Sequence, residues 1–384
     1  MKNSQIVIFF TVVFTIYSLA NIYIFLKGYN SIAKAGNFRI LYTLVFIILA
    51  LAFIAGKILE TRHSSVVSDI LNIIGGFWLA FMLYGVLFLL FSDIIYFSGR
   101  LTGIIRPEKI LWYKKWAFII TVCVSVIIIA SGFINAIIPH VKEYNITIHK
   151  KTEGPDKLRI AAVSDIHLGS VIRKRSIKKL SATLGSMKPD VIFLVGDVVD
   201  GEVGPVMRGD LLKYFNCPRC RFGMYAITGN HEFIGGADKT IPYIESKGIR
   251  VLKDEVVILD GGIQVAGRLD RDSRRYYGKD RLPLAKILEN TDKSRPLILL
   301  DHQPLNLDEA VKNGVDLQIS GHTHNGQMWP LNYITRGIYE LSYGYLKKGN
   351  THFIVSSGYG LWGPRTRSGS KSEVLLINIT FGGQ

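Results

Sequence analysis

Residues 315–327 read Val-Asp-Leu-Gln-Ile-Ser-Gly-His-Thr-His-Asn-Gly-Gln: a short β-forming run that stops on a glycine and then releases His322 and His324. The same grammar recurs upstream. Residues 158–164 run into Asp165-Ile166-His167, residues 191–195 into Gly196-Asp197-Val198-Val199-Asp200, residues 223–228 into Gly229-Asn230-His231-Glu232, and residues 296–300 into Asp301-His302-Gln303-Pro304. Runs of strand length separated by polar and helical segments predict an α/β domain. All five deliver Asp, Asn or His at their carboxyl ends, where α/β sheets place their sites.

Of the nine histidines, five fall at these ends: His167, His231, His302, His322 and His324. A lone strand-end histidine is more often a structural hydrogen-bonding residue than a ligand, but five with matching carboxylates reverse that balance. Positions i and i+2 of an extended segment face one side. Asp165 with His167, and His322 with His324, can thus each aim two donors at one place. Glycines at 196, 229 and 321 allow the tight turns that bring backbone close to a site.

Outward from this domain the texture changes. The chain has 384 residues, 48% of them hydrophobic, with a mean hydropathy of +0.25, which excludes intrinsic disorder. The apolar excess falls almost entirely before residue 140, in runs at about 6–26, 40–56, 73–91 and 116–138. A hydrocarbon core about 30 Å thick needs about 17–25 helical residues, so these predict four transmembrane helices. The expected division is a membrane module at 1–139, a linker at 140–157 and the α/β domain at 158–384. The first run is too long for a signal-peptide core, and no small-residue cleavage pattern follows it. Trp112-Tyr113-Lys114-Lys115-Trp116 forms an aromatic and basic cluster suited to the headgroup level.

Eight basic residues (Lys27, Lys34, Arg39, Arg100, Arg106, Lys109, Lys114 and Lys115) lie in the connections after the first and third runs, against Lys2, Lys57 and Arg62 opposite. That asymmetry favours an extracytoplasmic C-terminal domain. A transporter would need ionisable groups near the midplane. Only Asp93 approaches that, near the end of its run, so the module reads as an anchor.

The formal net charge is +16. Both halves are basic, which suits an anionic partner: a phosphorylated substrate, nucleic acid or acidic lipid headgroups. Three cysteines, Cys123, Cys217 and Cys220, exclude a disulfide scaffold.

The ordered motifs D-x-H, G-D-x-x-D, G-N-H-E, the histidine before Pro304 and G-H-T-H resemble the calcineurin-like metallophosphoesterase superfamily across about residues 158–379. Residues 223–231 and 321–327 are especially similar to a bacterial branch of membrane-anchored or exported phosphodiesterases. The resemblance implies a four-layer α/β/β/α sandwich with a di-metal centre between its sheets. It implies Asp165, His167 and His324 on one metal, Asn230, His302 and His322 on the other, and Asp197 bridging them. A bridging carboxylate can hold two divalent ions about 3.5–4 Å apart, a pair that activates water and clamps phosphoryl oxygens. Mixed imidazole and oxygen ligands suit Mn, Fe, Zn or Ni. By the same resemblance His231 protonates the leaving oxygen and Asp200 orients it; Asp200 also reads as a turn or capping residue. Glu232 stands where the family more commonly has Asp, at a position that is not a ligand.

Weaker signals complete the reading. Arg173, Lys174, Arg175, Lys178 and Lys179 open a helix, a solvated face or a place for phosphate or anionic lipid. In the glycine and aromatic loop at 358–365, Arg365 is a candidate substrate contact, since guanidinium matches phosphate geometry; a surface loop is the alternative. The expected protein is a membrane-anchored di-metal phosphoesterase acting on a phosphodiester, phosphomonoester or pyrophosphate, with a lipid-linked or cell-envelope substrate suggested by the anchor. Its rivals are a nuclease or nucleotide phosphodiesterase, and a non-catalytic metal-binding sensor or transport protein.

Overall fold

The computed structural model describes residues 3–31, 36–63, 65–215 and 220–382. It divides into two units, Met1–Phe133 with Gly363–Thr366, and Ile134–Trp362 with Arg367–Gln384. Helices α1 (Asn3–Ser31), α2 (Gly36–Arg62), α3 (Val66–Leu101) and α4 (Ile110–Ile137) correspond to the four apolar runs. All four are long and apolar enough to cross a membrane.

Each helix overruns its apolar run at one end or both, because the backbone ladder continues through polar flanks that hydropathy alone does not register. The clearest case is α3, whose 36 residues extend about 54 Å. Its start is fixed by a capping box: Ser65 Oγ accepts from the Ser68 N–H at 3.3 Å and Ser68 Oγ from the Ser65 N–H at 2.9 Å.

Small residues let α2 and α3 close on each other. A side chain at Gly75 would strike the Phe53 backbone, and one at Gly56 would meet Asn72 Oδ1 at 2.5 Å. Trp78 donates to Asn21 Oδ1 at 2.9 Å and meets Phe46 edge-on at 4.9 Å. Asp93 accepts from Tyr23 at 2.7 Å and pairs with Lys27. The apolar-run reading left out two further acidic groups, Glu60 and Asp69, which are buried near the α2–α3 turn.

Among the described residues the second unit contains twelve strands: β1 (His140–Ile148), β2 (Lys157–Val163), β3 (Val191–Val195), β4 (Met224–Ile227), β5 (Arg250–Leu252), β6 (Glu255–Leu259), β7 (Ile263–Gly267), β8 (Leu297–Leu300), β9 (Leu317–Ser320), β10 (Gly344–Lys348), β11 (Thr351–Val355) and β12 (Glu373–Phe381). They form two six-stranded sheets, ordered β1-β12-β2-β3-β4-β5 and β10-β11-β9-β8-β7-β6. Residues 140–157, expected as a linker, instead begin with β1, which pairs in parallel with β12 over nine residues. The charge of this stretch misled the reading: an edge strand can keep Lys142 and Glu143 in solvent while Ile146 and Ile148 turn inward.

Alternation along the strands builds the four layers. Ile160, Ala162, Phe193 and Val195 of the first sheet meet Val265, Ile298, Leu300, Ile319 and Ile354 of the second in one core. The other face of the first sheet, including Ala161, Val163, Ile192 and Leu194, packs on Ile177, Leu180 and Leu184 of α5 (Lys174–Ser186). Ala266, Leu297, Leu299 and Phe353 cover the second sheet's outer face with Leu284, Ile287, Leu307 and Ala310 from two short helices. Strands β2, β3 and β4 run parallel, as do β8 and β9. Their carboxyl ends carry the five motifs.

Candidate metal centre

Each candidate ligand stands just beyond the end of a buried strand. Ligand-capable atoms converge in three sets, each within 4.8 Å: Asp165, His167 and His324; His167, Asp200 and His231; and Asp197, His302 and His322. Asn230 joins the last, its Oδ1 lying 2.9 Å from His322 Nδ1.

The backbone does not hold these residues as the extended i, i+2 pattern predicts. Asp165, His167, Asp197, His322 and His324 all have left-handed φ between 48° and 70°, a conformation costing a non-glycine residue of order 1–3 kcal/mol. Sharp turns, rather than continued strands, point their side chains inward. The glycines make room: a Cβ at Gly229 would strike Asp197 Oδ1, and one at Gly321 would strike Asp165 Oδ2.

Hydrogen bonds fix the rings. The His302 Nδ1–H donates to Val195 O at 2.8 Å, which leaves Nε2 facing Asp197 Oδ2 at 3.2 Å without hydrogen-bond geometry. Asp200 Oδ1 accepts from Nδ1 of both His167, at 3.2 Å, and His231, at 3.1 Å. His167 Nε2 therefore turns to His324 Nε2, 3.1 Å away, with Asp165 Oδ1 3.4 Å from the latter. Two ring nitrogens and a carboxylate oxygen meeting around one point form a mixed donor set that fits a divalent metal.

The charges are strongly coupled. Burial alone would raise the Asp197 carboxyl, but His302, His231 and His167 hold it well below its ordinary range. His231, lowered by burial but raised more by Asp197 and Asp200, comes to about 9. Burial and the neighbouring His302 push His322 down to about 4.

Three contributors escaped the sequence reading. Glu232 is buried, and its carboxylate accepts from the N–H groups of Asp197 at 3.0 Å, Val199 at 3.0 Å and Gly229 at 2.7 Å. It therefore ties the G-D-x-x-D and G-N-H-E loops together; its position three residues into the helix that follows Gly229 was the available signal. Arg367 is fully buried. It donates to Ser357 O at 2.8 Å, Gly360 O at 2.6 Å and His324 Nδ1 at 3.2 Å, and nothing in its local sequence marks it. Asp270, which burial raises to about 7, accepts from Gln303 at 3.0 Å through both oxygens. Asp301, at the end of β8, turns away to Arg268 and Arg281 at 3.2 and 2.9 Å.

Arg365 belongs to the helical unit, and its guanidinium lies 5.9 Å from the ring centres of Phe77 and Phe133. Cys217 lies outside the described residues.

Two face-to-face sheets whose loops gather histidines, carboxylates and an asparagine at one edge define a metallophosphoesterase. The chain belongs to the calcineurin-like phosphoesterase family, whose sequence profile matches residues 158–326. An uncharacterized metallophosphoesterase of Aquifex aeolicus is 31% identical over 259 residues, covering 67% of this chain and 97% of that protein. A Campylobacter jejuni relative described in the same words is 27% identical over 388 residues, covering 97% and 98%. A transmembrane protein with metallophosphoesterase domain from Bos taurus is 29% identical over 296 residues, covering 73% and 65%. The protein is thus a metal-dependent phosphoester hydrolase whose substrate is phosphorylated. Its four apolar helices make it a membrane protein.

Proposed function

We propose that this protein is a membrane-anchored phosphoesterase with two divalent ions, of Mn, Fe, Zn or Ni type, that cleaves a lipid-linked or cell-envelope phosphate ester or pyrophosphate outside the cytoplasm. The observation that carries the two-ion reading is the convergence of Asp165, His167 and His324 at one point and of Asp197, His302 and His322, with Asn230, at another. Asp197 stands between them, its Oδ2 3.9 Å from His167 Nε2 and 3.2 Å from His302 Nε2. When bound, the ions supply an activated water and neutralise the phosphoryl oxygens.

The remaining steps belong to side chains. Asp200 receives the His231 Nδ1–H and, with Asp197, favours the cationic ring, in which Nε2 also carries a proton and gives it to the departing oxygen, leaving the ring neutral. The same carboxylate orients His167. Glu232 holds the loops of Asp197 and Asn230 in register.

The lipid-linked substrate is supported by the last turn of the fourth membrane helix, which groups with the catalytic unit. There Asn135 donates to Arg367 O at 2.8 Å and Ser370 O at 2.7 Å, and the Arg367 side chain reaches His324. A candidate ligand thus stands only two contacts from a residue at the end of a membrane span.

The test is hydrolysis by the full chain in nanodiscs, stripped of metal and resupplied with Mn, Zn or Mg. A bilayer-presented phospholipid monoester would be compared with the same headgroup on a short, soluble chain. Metal-dependent turnover that prefers the bilayer substrate is expected. Equal turnover of both would defeat the lipid-linked reading, and none with any metal would defeat the enzymatic one.

A further inference from the structure

The helix Leu331–Ile338 is inside out. Its polar Asn332 is buried, while Tyr333, Ile334 and Ile338 are 60%, 57% and 64% exposed. Trp329 and Trp362 are exposed beside it. The two loops are stitched together: Gln327 Nε2 donates to Trp362 O, and the Trp362 N–H to Gln327 Oε1, both at 3.0 Å. Tyr339, just after the helix, meets the candidate ligand His322 edge-on, ring centres 6.3 Å apart.

A chain of contacts leads from this apolar rim to the end of α4. Three residues before Trp362, Tyr359 donates to Ser176 O in α5 at 2.7 Å, and Lys179, one turn along α5, donates to Ile137 O at 2.9 Å. Helix α5 therefore touches the last residue of a candidate membrane span. Arg173, just before it, and Lys174, Arg175, Lys178 and Lys179 on it are all exposed. Only Ile138 and Pro139 separate α4 from β1.

We infer that this rim is a membrane seat: Trp329, Tyr333, Ile334, Ile338 and Trp362 enter the headgroup and acyl boundary of the bilayer, and the basic face of α5 binds anionic headgroups. Amphipathic aromatic rings with flanking cations are the chemistry of that boundary. A charged or zwitterionic protein partner would not explain an exposed apolar helix that leads back to the end of a membrane span. The inference extends the lipid-linked reading above, since a seated rim brings the ligand loops to headgroup level.

The test places an environment-sensitive fluorophore on the full chain in nanodiscs containing acyl-brominated phosphatidylcholine and phosphatidylglycerol. The background carries Cys123→Ser, Cys217→Ser and Cys220→Ser, and single sites are Ile334→Cys, Trp362→Cys and, as a control, Ile258→Cys, whose native residue is 71% exposed on β6. We expect about a twofold or greater quenching at 334 and 362 and none at 258. Lys174→Gln/Arg175→Gln/Lys178→Gln should weaken the quenching. Positions 334 and 362 behaving like 258 would overturn the seat, and quenching indifferent to the charge changes would overturn its basic half. Metal-dependent hydrolysis of bis(4-nitrophenyl) phosphate by the same samples reports the enzymatic reading separately: quenching without turnover supports the seat and defeats that reading, and turnover without quenching does the reverse.

Discussion

In the helical unit Asp93 meets Lys27 and Tyr23, so its charge is answered from within the bundle. In the catalytic unit, by contrast, His167 and His324 turn their Nε2 atoms toward each other, His302 Nε2 is buried without a hydrogen-bond partner, and five candidate ligands sit on left-handed backbone. The Asp93 carboxylate finds its partners among neighbouring helical side chains. The histidine and carboxylate cluster instead gathers the mixed nitrogen and oxygen donors that suit a divalent ion. The difference teaches how to tell an anchor's ionisable residues from a site's: by whether the surrounding donors and acceptors already balance.

Substitutions should therefore act unequally in the two units. The largest effect is expected for Asp197→Asn, which removes charge from the point facing both histidine sets: metal-dependent turnover should fall roughly 10³-fold, as when a key electrostatic group is lost, measured as kcat/KM. A fall of only a few-fold would remove Asp197 from the centre of the site. Next comes Glu232→Gln, which leaves three backbone donors sharing a neutral acceptor; about 3 kcal/mol of stability should be lost, read from chemical denaturation in detergent. Unchanged stability would show that the loops hold themselves.

His231→Gln should lower kcat by about 10²-fold on an alkyl phosphodiester but much less on a nitrophenyl ester, whose leaving group needs no proton. Equal losses on both would rule out the proton-donor role. The same histidine carries a pH signature in the metal-free protein. Its pKa is raised from the usual 6.5 to about 9, so its stabilising contribution is complete below about 6.5 and is lost as pH rises through about 9. The thermal midpoint of metal-free wild type should decline across that window, and the decline should be shallower in His231→Gln. The smallest effect belongs to the helical unit: Lys27→Ala, at a pair about a third exposed, should cost under about 1 kcal/mol and leave nitrophenyl ester turnover intact.

Much of this contrast was legible in the sequence. Strand ends that stop on Asp, Asn or His pointed to residues that the fold does bring together, and the apolar runs located the four long helices. What escaped was whatever depends on three-dimensional closure. Glu232 matters through backbone donors from two loops, and Arg367 through a histidine 43 residues away. Strand β1 was obscured because its exposed edge carries linker-like charge. The left-handed turns were hidden because only glycine announces such a conformation in a sequence. For Arg365 the sequence offered residue type alone, and its packing beside Phe77 and Phe133 depends on closure of the fold.

The most direct test of the central claim is a count of divalent ions bound to the purified full chain, by titration calorimetry with Mn and elemental analysis, in wild type and Asp197→Asn. Two ions per wild-type chain, with at least one lost from the folded variant, is the expected result. A folded wild-type protein that binds no ion, or a variant that still binds two with equal affinity, would contradict it.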